Sequence, residues 1–323
     1  MSSQSVQAVD RNVVAKATHV PAGRTLSLRR VLPIYLFILP ASVLFLLWNL
    51  YPLGDAFVMS FFHWNLVLPS QFIGFNNYQR ALSDPVFWDA MRNICLYALI
   101  SVPGQILFGL GAALLLDQKL RFRAVFRTLF YLPVITGWVV VSLIFLYLYN
   151  GQVGALDYFL YNMIHVIPGP IYFLADVNWA LPSIAVLDIW KGIGWTMIIF
   201  LAALQGIPQE VYEAARVDGA NAFQRLTRIT VPLLRPTIGF LVVILSIGAF
   251  NSFTQIYVMT TNGGPGTAGG PLESTESVLT YMYRTGFFNF DLGYGAAISY
   301  LFTLFMLVVA LVQLRVLRRR FEY

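Results

Sequence analysis

Six apolar runs lie at about residues 32–54, 93–116, 128–149, 179–204, 237–258 and 293–315, each long enough to cross the roughly 30 Å hydrocarbon layer of a membrane as a helix. In lipid a backbone has no water to bond, so runs in series are accommodated as helices that satisfy their own amide groups. Composition excludes the other classes. Of 323 residues, 58% are hydrophobic and 11% charged, against about 45–50% and about 25% in soluble domains. A soluble globule made this way would expose far more than the few hundred Å² of contiguous apolar surface that is normal. Disordered chains, in turn, lack the aliphatic and aromatic residues abundant here. The expected fold is all-α, a polytopic membrane protein with six transmembrane helices.

Orientation follows from Lys and Arg, which concentrate in cytoplasmic connections. Arg11, Lys16, Arg24, Arg29 and Arg30 precede the first run; Lys119, Arg121, Arg123 and Arg127 separate the second from the third. Arg216, Arg225, Arg228 and Arg235 lie between the fourth and fifth, and Arg315, Arg318, Arg319 and Arg320 close the chain. The remaining connections hold only Arg80, Arg92 and Arg284, and Lys191 falls inside a run. Both termini are therefore expected in the cytoplasm, as six spans require. The net charge of +6 is thus a topology signal, and no nucleic-acid partner is expected. Trp48, Tyr51, Tyr131, Tyr147 and Tyr149 fit interfacial belts. The first run exceeds the apolar core of about 7–15 residues in a cleaved signal, so it is read as a retained helix, with Arg29-Arg30 as its positive flank.

Residues 1–30 read as a flexible cytoplasmic tail and 31–323 as one membrane domain. After the first run, Asn76-Asn77-Tyr78 leads into Asp84-Pro85-Val86-Phe87-Trp88, expected to lie along the interface. Gly263-Gly264-Pro265 and Gly269-Gly270-Pro271 make the stretch 259–271 irregular. Cys95 sits in an apolar run and reads as a small buried hydrophobe, and His19, His63 and His165 share no ligand spacing, so no metal site is expected. Gly109-x-Gly111 lacks the strand and third glycine of a dinucleotide fingerprint, and close helix packing explains it better.

The cytoplasmic stretch 205–236 has internal design. Pro208 suits a first helical turn, Glu210 and Glu213 lie near its positive end, and Gly219 is placed to stop it. A helix of about ten residues is marginal alone, where about 12–15 are needed, so it requires a surface to rest on. Ala214, Ala215 and Val217 give it a thin profile. That surface is either its own membrane domain or a partner's groove. A second helical stretch carries Arg225 and Arg228, broken by Pro232 and Pro236 before the fifth run.

Glu213-Ala214-Ala215, then Asp218-Gly219-Ala220, then Ile229-Thr230-Val231-Pro232-Leu233-Leu234 resembles the signature loop of permease subunits of binding-protein-dependent ABC importers. Phe72-Ile73-Gly74-Phe75-Asn76-Asn77-Tyr78, Leu201-Ala202-Ala203-Leu204-Gln205-Gly206-Ile207-Pro208 and Thr261-Asn262-Gly263-Gly264-Pro265 are similar to its carbohydrate-uptake branch, with the maltose and glycerol-phosphate permeases. The resemblance spans about residues 30–320. It implies a type I importer permease in a prokaryotic inner membrane, partnered by a second homologous permease, two cytoplasmic ATPases and an external solute-binding protein, with lipid around it. Glu210, Glu213, Ala214, Ala215, Asp218 and Gly219 would then form the coupling helix seated in the ATPase. No G-x-x-x-x-G-K-[ST] loop occurs, so ATP and Mg are expected on the partners and no cofactor in this chain.

Ionisable residues inside a span are functional candidates by default. Asp188 and Lys191, three apart, either neutralise each other or line a polar cavity. By alignment with the resembling maltose permease, the solute contacts fall at Asp188, Lys191, Gly192 and Trp195, with Ser246, Phe250 and Phe253 on the fifth span and Trp138 on the third; Asn251 and Gln255 are polar neighbours. Helix packing is the plain alternative for Phe250, Phe253 and Trp138. The resemblance implies import of a di- or oligosaccharide or related polyol by alternating access, or of a glycerol phosphate or another non-sugar solute. An intramembrane enzyme would need paired acids or histidines within spans, and only Asp188 qualifies. An ion-coupled secondary transporter would carry an inverted repeat, and none is seen.

Overall fold

The computed structural model describes residues 28–65, 69–118, 121–151, 153–165, 169, 171–261 and 268–318. Residues 1–27, Lys119, the motif residues Asn262 to Pro265, Arg319 and Arg320 lie outside them. The chain divides into two units, Met1–Asp55 and Ala56–Tyr323. In the first, helix α1 (Leu28–Phe45) runs into a π-helical turn at Leu46–Leu50; helix α2 (Tyr51–Met59) starts there and ends in the second unit. The first unit's exposed Phe37, Trp48 and Tyr51 suit lipid.

Among its described residues the second unit is mainly helical, with a hairpin of β1 (Phe62–His63) and β2 (Gln71–Phe72), paired antiparallel with Phe62 opposite Phe72. Helix α3 (Asn76–Ser83) follows, then the 33-residue α4 (Pro85–Asp117). Asp84 caps α4 by accepting from Val86 N at 2.9 Å, and Pro85 opens its first turn. The segment expected along the interface is therefore the start of the second span; a cap and a first-turn proline are helix-initiation signals. The third apolar run is not one helix. It forms α5 (Arg123–Ile135) and α6 (Trp138–Leu148), bent by 97°. The fourth forms α7 (Ala180–Gln205). After it come α8 (Gln209–Val217), the stretch α9 (Ala222–Leu233), α10 (Arg235–Phe250) at 65° to it, α11 (Thr254–Thr260), α12 (Val278–Tyr283) and α13 (Leu292–Arg318). Among the described residues four helices are long and apolar enough to cross a membrane, or up to six if each bent pair makes one span.

Helices α4 and α7 pack through glycines. A Cβ on Gly109 would stand 2.0 Å from Thr196 Oγ1, one on Gly104 2.4 Å from Ile189 Cδ1, and one on Gly192 2.0 Å from Gln105 Oε1. Gly111 has nothing within 4 Å, so only Gly109 of the predicted pair serves packing. On α7's other side a Cβ on Gly194 would meet the Phe130 carbonyl of α5 at 2.1 Å. Small residues let helices approach until dispersion contacts hold them, the main attraction left when lipid is as apolar as the side chains.

A second anchor ties the ends of α4, α12 and α13. Asp84 Oδ2 accepts from Tyr294 Oη at 2.6 Å and from Tyr281 Oη. Burial pushes its carboxyl up, but these hydroxyls and the Val86 and Phe87 amides outweigh that and hold it below the usual carboxylate value. Nearby, Glu276 is 0% exposed. Arg284 Nη2 lies 3.3 Å from its Oε2 while bonding Glu273 Oε1 at 3.0 Å. Neither Glu276 oxygen has an aligned donor among the described residues. Burial pushes the Glu276 carboxyl up to about 7 against the pull of Arg284.

This packing makes two outcomes measurable. At Gly194 the obstacle is backbone, so Gly194→Ala must part α5 from α7 and is expected to cost about 1–3 kcal/mol; Gly192→Ala meets a side chain able to turn aside and costs less. Thermal unfolding in detergent checks the order. For Glu276 the folded value lies above the ordinary 4.5, so its stabilisation is complete at acid pH and lost as pH rises through about 7, by about 3 kcal/mol at about 1.4 kcal/mol per unit. The unfolding midpoint should fall between pH 5 and 8, and Glu276→Gln should flatten that slope.

Candidate functional site

The break in the third run exposes backbone that needs donors. Between α5 and α6, Thr136 (φ −76°, ψ 137°) and Gly137 (φ −61°, ψ 142°) are extended, so the last carbonyls of α5 have no amides ahead of them. Thr136 N donates to Pro133 O at 3.3 Å and Thr136 Oγ1 to Leu132 O at 3.2 Å. From α7, Lys191 Nζ adds bonds to Pro133 O at 2.8 Å, Val134 O at 3.1 Å and Thr136 O at 2.8 Å. An ammonium has three donors, and all three are used. A helix C-terminus carries partial negative charge, so a cation is the favoured occupant. Lys191 Nζ also stands 4.7 Å from the centre of the Trp138 ring, on one of its faces.

Asp188, one turn earlier on α7, points elsewhere. Its Oδ2 accepts from Gln105 Nε2 of α4 at 2.9 Å. The two charged residues are 7% and 5% exposed, and no ion pair among the described residues joins them. Mutual neutralisation by direct contact is thereby replaced by separate partners. Around Asp188 the interior stays polar: Thr196 Oγ1 donates to Gln105 O at 3.1 Å, and Gln255 Nε2 of α11 donates to Tyr97 Oη at 3.1 Å. Buried polar groups are tolerated in such interiors when each has a partner.

The eight residues predicted to meet solute do not form one pocket. Asp188, Lys191, Gly192 and Trp138 cluster where α7 meets α4 and the α5–α6 corner. Trp195 is half-buried and packs with Met197, Phe200 and Leu241. Ser246 and Phe250 line a cavity of about 660 Å³ between α4 and α10, with Cys95, Val102 and Val242. Ser246 Oγ accepts from Gln313 Nε2 at 3.0 Å, and Phe250 meets Phe302 and Phe305 edge-on. Phe253 stacks on Tyr257. Sequence reasoning missed Gln105, Tyr97 and the carbonyls of 133–136; a lone amide and the Pro133-to-Gly137 spacing inside apolar runs were the available signals.

The loop after α7 takes the shape its residues dictate. Helix α8 has nine residues, with Glu210 in its first turn and Arg216 in its last. Gly219 adopts φ +77°, Gly219 N donates to Arg216 O at 3.1 Å and Ala220 N to Ala215 O at 2.9 Å. That is a Schellman closure, which glycine adopts without Cβ strain. Ala215 faces inward at 8% exposure, whereas Glu210, Glu213, Ala214, Asp218 and Gly219 are exposed and Val217 is 88% exposed. Tyr212 Oη and Thr230 Oγ1, 3.1 Å apart, pin the helix to α9, and Asn221 and Gln224 form a capping box.

Comparison with known proteins places the chain in a family. The family described as binding-protein-dependent transport system inner membrane component matches residues 105–322. The sulfoquinovosyl glycerol transport system permease protein SmoG of Agrobacterium fabrum is 35% identical over 287 residues, 88% of this chain and 90% of that protein. The lactose transport system permease protein LacF of Rhizobium radiobacter is 34% identical over 288 residues, 88% of this chain and 94% of that protein. A solved bacterial alginate ABC transporter, in complex with an alginate pentasaccharide-bound periplasmic protein, contains a chain with TM-score 0.78 and 25% identity, covering 91% of this chain and 97% of that one. By fold, motif and relatives this chain belongs to the binding-protein-dependent transport system inner membrane component family, and it is a multi-pass transport permease and not an enzyme.

Proposed function

We propose that this chain is one permease half of an ATP-driven importer for a di- or oligosaccharide or a related glycoside or polyol. The observation that carries the reading is α8: a capped nine-residue helix that presents Glu210, Glu213, Ala214 and Asp218 outward at the family's coupling position. A helix this short and this exposed calls for a partner surface. The partners are a second homologous permease, two cytoplasmic ATPases that hold ATP and Mg, and an external solute-binding protein. The chain sits in a prokaryotic inner membrane with both termini inside and six spans, the third and fifth being broken. The connection holding Glu276 then faces outward.

The carbohydrate reading rests on relatives named for lactose and sulfoquinovosyl glycerol and on a neighbour from an alginate transporter. Asp188 would accept from sugar hydroxyls when the ATPases close, Trp195 and Trp138 would offer ring faces, and Ser246, Phe250 and Phe253 would line the way along α10. Gly192 keeps α4 and α7 close. A glycerol phosphate is disfavoured because all three Lys191 donors are engaged by carbonyls.

Two experiments test this reading. In the reconstituted complex, Glu213→Ala combined with Gly219→Pro is expected to leave membrane insertion intact and to remove stimulation of ATPase by loaded binding protein; normal stimulation sinks the coupling assignment. Asp188→Ala and Trp195→Ala are each expected to reduce saccharide uptake by about tenfold, about 1.4 kcal/mol, with the complex still assembled. Unchanged uptake kinetics in both would remove them from the path.

A further inference from the structure

We propose that Lys191 is a positioning residue of the transport cycle: its ammonium caps the severed end of α5 and fixes the corner and the Trp138 ring, and it does not touch solute. The inference rests on the permease reading above. Three observations converge on it. The ammonium is saturated, with one carbonyl for each proton at 2.8, 3.1 and 2.8 Å. The residue is 5% exposed, and its ammonium meets backbone and the Trp138 ring. The carbonyls come from Pro133, Val134 and Thr136, at the α5 side of the 97° break between α5 and α6. Without the ammonium these part-buried carbonyls would lose its three bonds, and the chain would be driven to straighten or to admit water. The cap therefore holds the corner in its bent form.

The charge suits this role better than a neutral amide would. Gln or Asn offers two donors and no net charge, whereas the ammonium offers three and is attracted by the partial negative charge at a helix C-terminus. Nζ also occupies one face of the Trp138 indole at 4.7 Å. At most the opposite face is left for a sugar ring, so Lys191 sets which side of Trp138 is available. Gly194, whose missing Cβ lets α7 sit against the Phe130 carbonyl, keeps the lysine within reach of the corner. A saccharide-contacting cation and a backbone cap make different demands, and these can be separated.

The test uses the assembled importer with its ATPases and binding protein, after confirming that the unmodified complex takes up a saccharide. Failure of that step removes the functional reading alone. The unmodified complex is treated with an acetylating reagent for amines during ATP turnover, with and without saccharide. Lys191 is expected to label at less than one-tenth of the level of surface amines in both cases; labelling that saccharide blocks overturns the proposal. Lys191→Met is expected to lower uptake at least tenfold while the saccharide concentration for half-maximal rate and the preference between neutral and acidic saccharides stay within twofold. Lys191→Arg, which keeps charge and donors, should recover a third or more of the rate. A Lys191→Met complex that transports at the normal rate, or whose preference shifts toward neutral sugars, overturns the proposal. If that variant does not assemble, the labelling result and the arginine variant decide.

Discussion

Backbone carbonyls in an apolar interior need donors, and the second unit of this permease is organised around one place where a helix cannot supply them. Pro133 and the extended pair Thr136 and Gly137 end α5 early. An unmet buried carbonyl costs about 1–3 kcal/mol, and this corner carries three part-buried ones at Pro133, Val134 and Thr136, the first also served by Thr136 N. Lys191 meets all three, and its own burial is tolerable for the same reason. Charge and break are each costly alone and stable only together. Placing a lysine on α7 requires α7 to lie against α5, which Gly194 permits, and against α4, which Gly104, Gly109 and Gly192 permit. The arrangement of these three helices thus follows from closing a single corner.

The crossing of α4 and α7 follows the same rule. Gln105 serves two purposes: its amide bonds Asp188, and its carbonyl receives Thr196. Gly192 makes room for that amide, so packing and polarity at this crossing are one feature. Toward the chain's other connections, Asp84 gathers the starts of α4 and α13 and the body of α12 through two tyrosines. The carboxylates divide in character there: Asp84 is well supplied with donors and held ionised, while Glu276 has one shared arginine and titrates near neutrality.

The helical, membrane-crossing class of the chain was readable in the sequence, because the length of apolar runs is set by solvent and not by detailed packing. Gly219 was readable as a helix stop, since its position after α8 and its backbone freedom are local facts. The broken third run was not, as hydropathy averages over Pro133 and Gly137 without registering a turn. The partners of Asp188 and Lys191 were also hidden. Their spacing of three residues describes one helix face, yet their bonds go to different neighbours, and only the tertiary arrangement assigns those. Trp195, Ser246, Phe250 and Phe253 were each placed by likeness to a relative; Ser246 and Phe250 share a cavity, whereas Trp195 and Phe253 lie in other surroundings.

Helix α8 is closed at both ends, by Pro208 before Gln209 and by the left-handed Gly219, with Ala215 turned in and Val217 turned out. Its angular phase is therefore fixed by residue count. One residue gained or lost between Pro208 and Gly219 would rotate the rest of the helix by about 100°, carrying Ala215 outward or a charged side chain inward. Neighbouring loops can drift in length, but this one is metered, like the tooth of a gear whose pitch both partners must share.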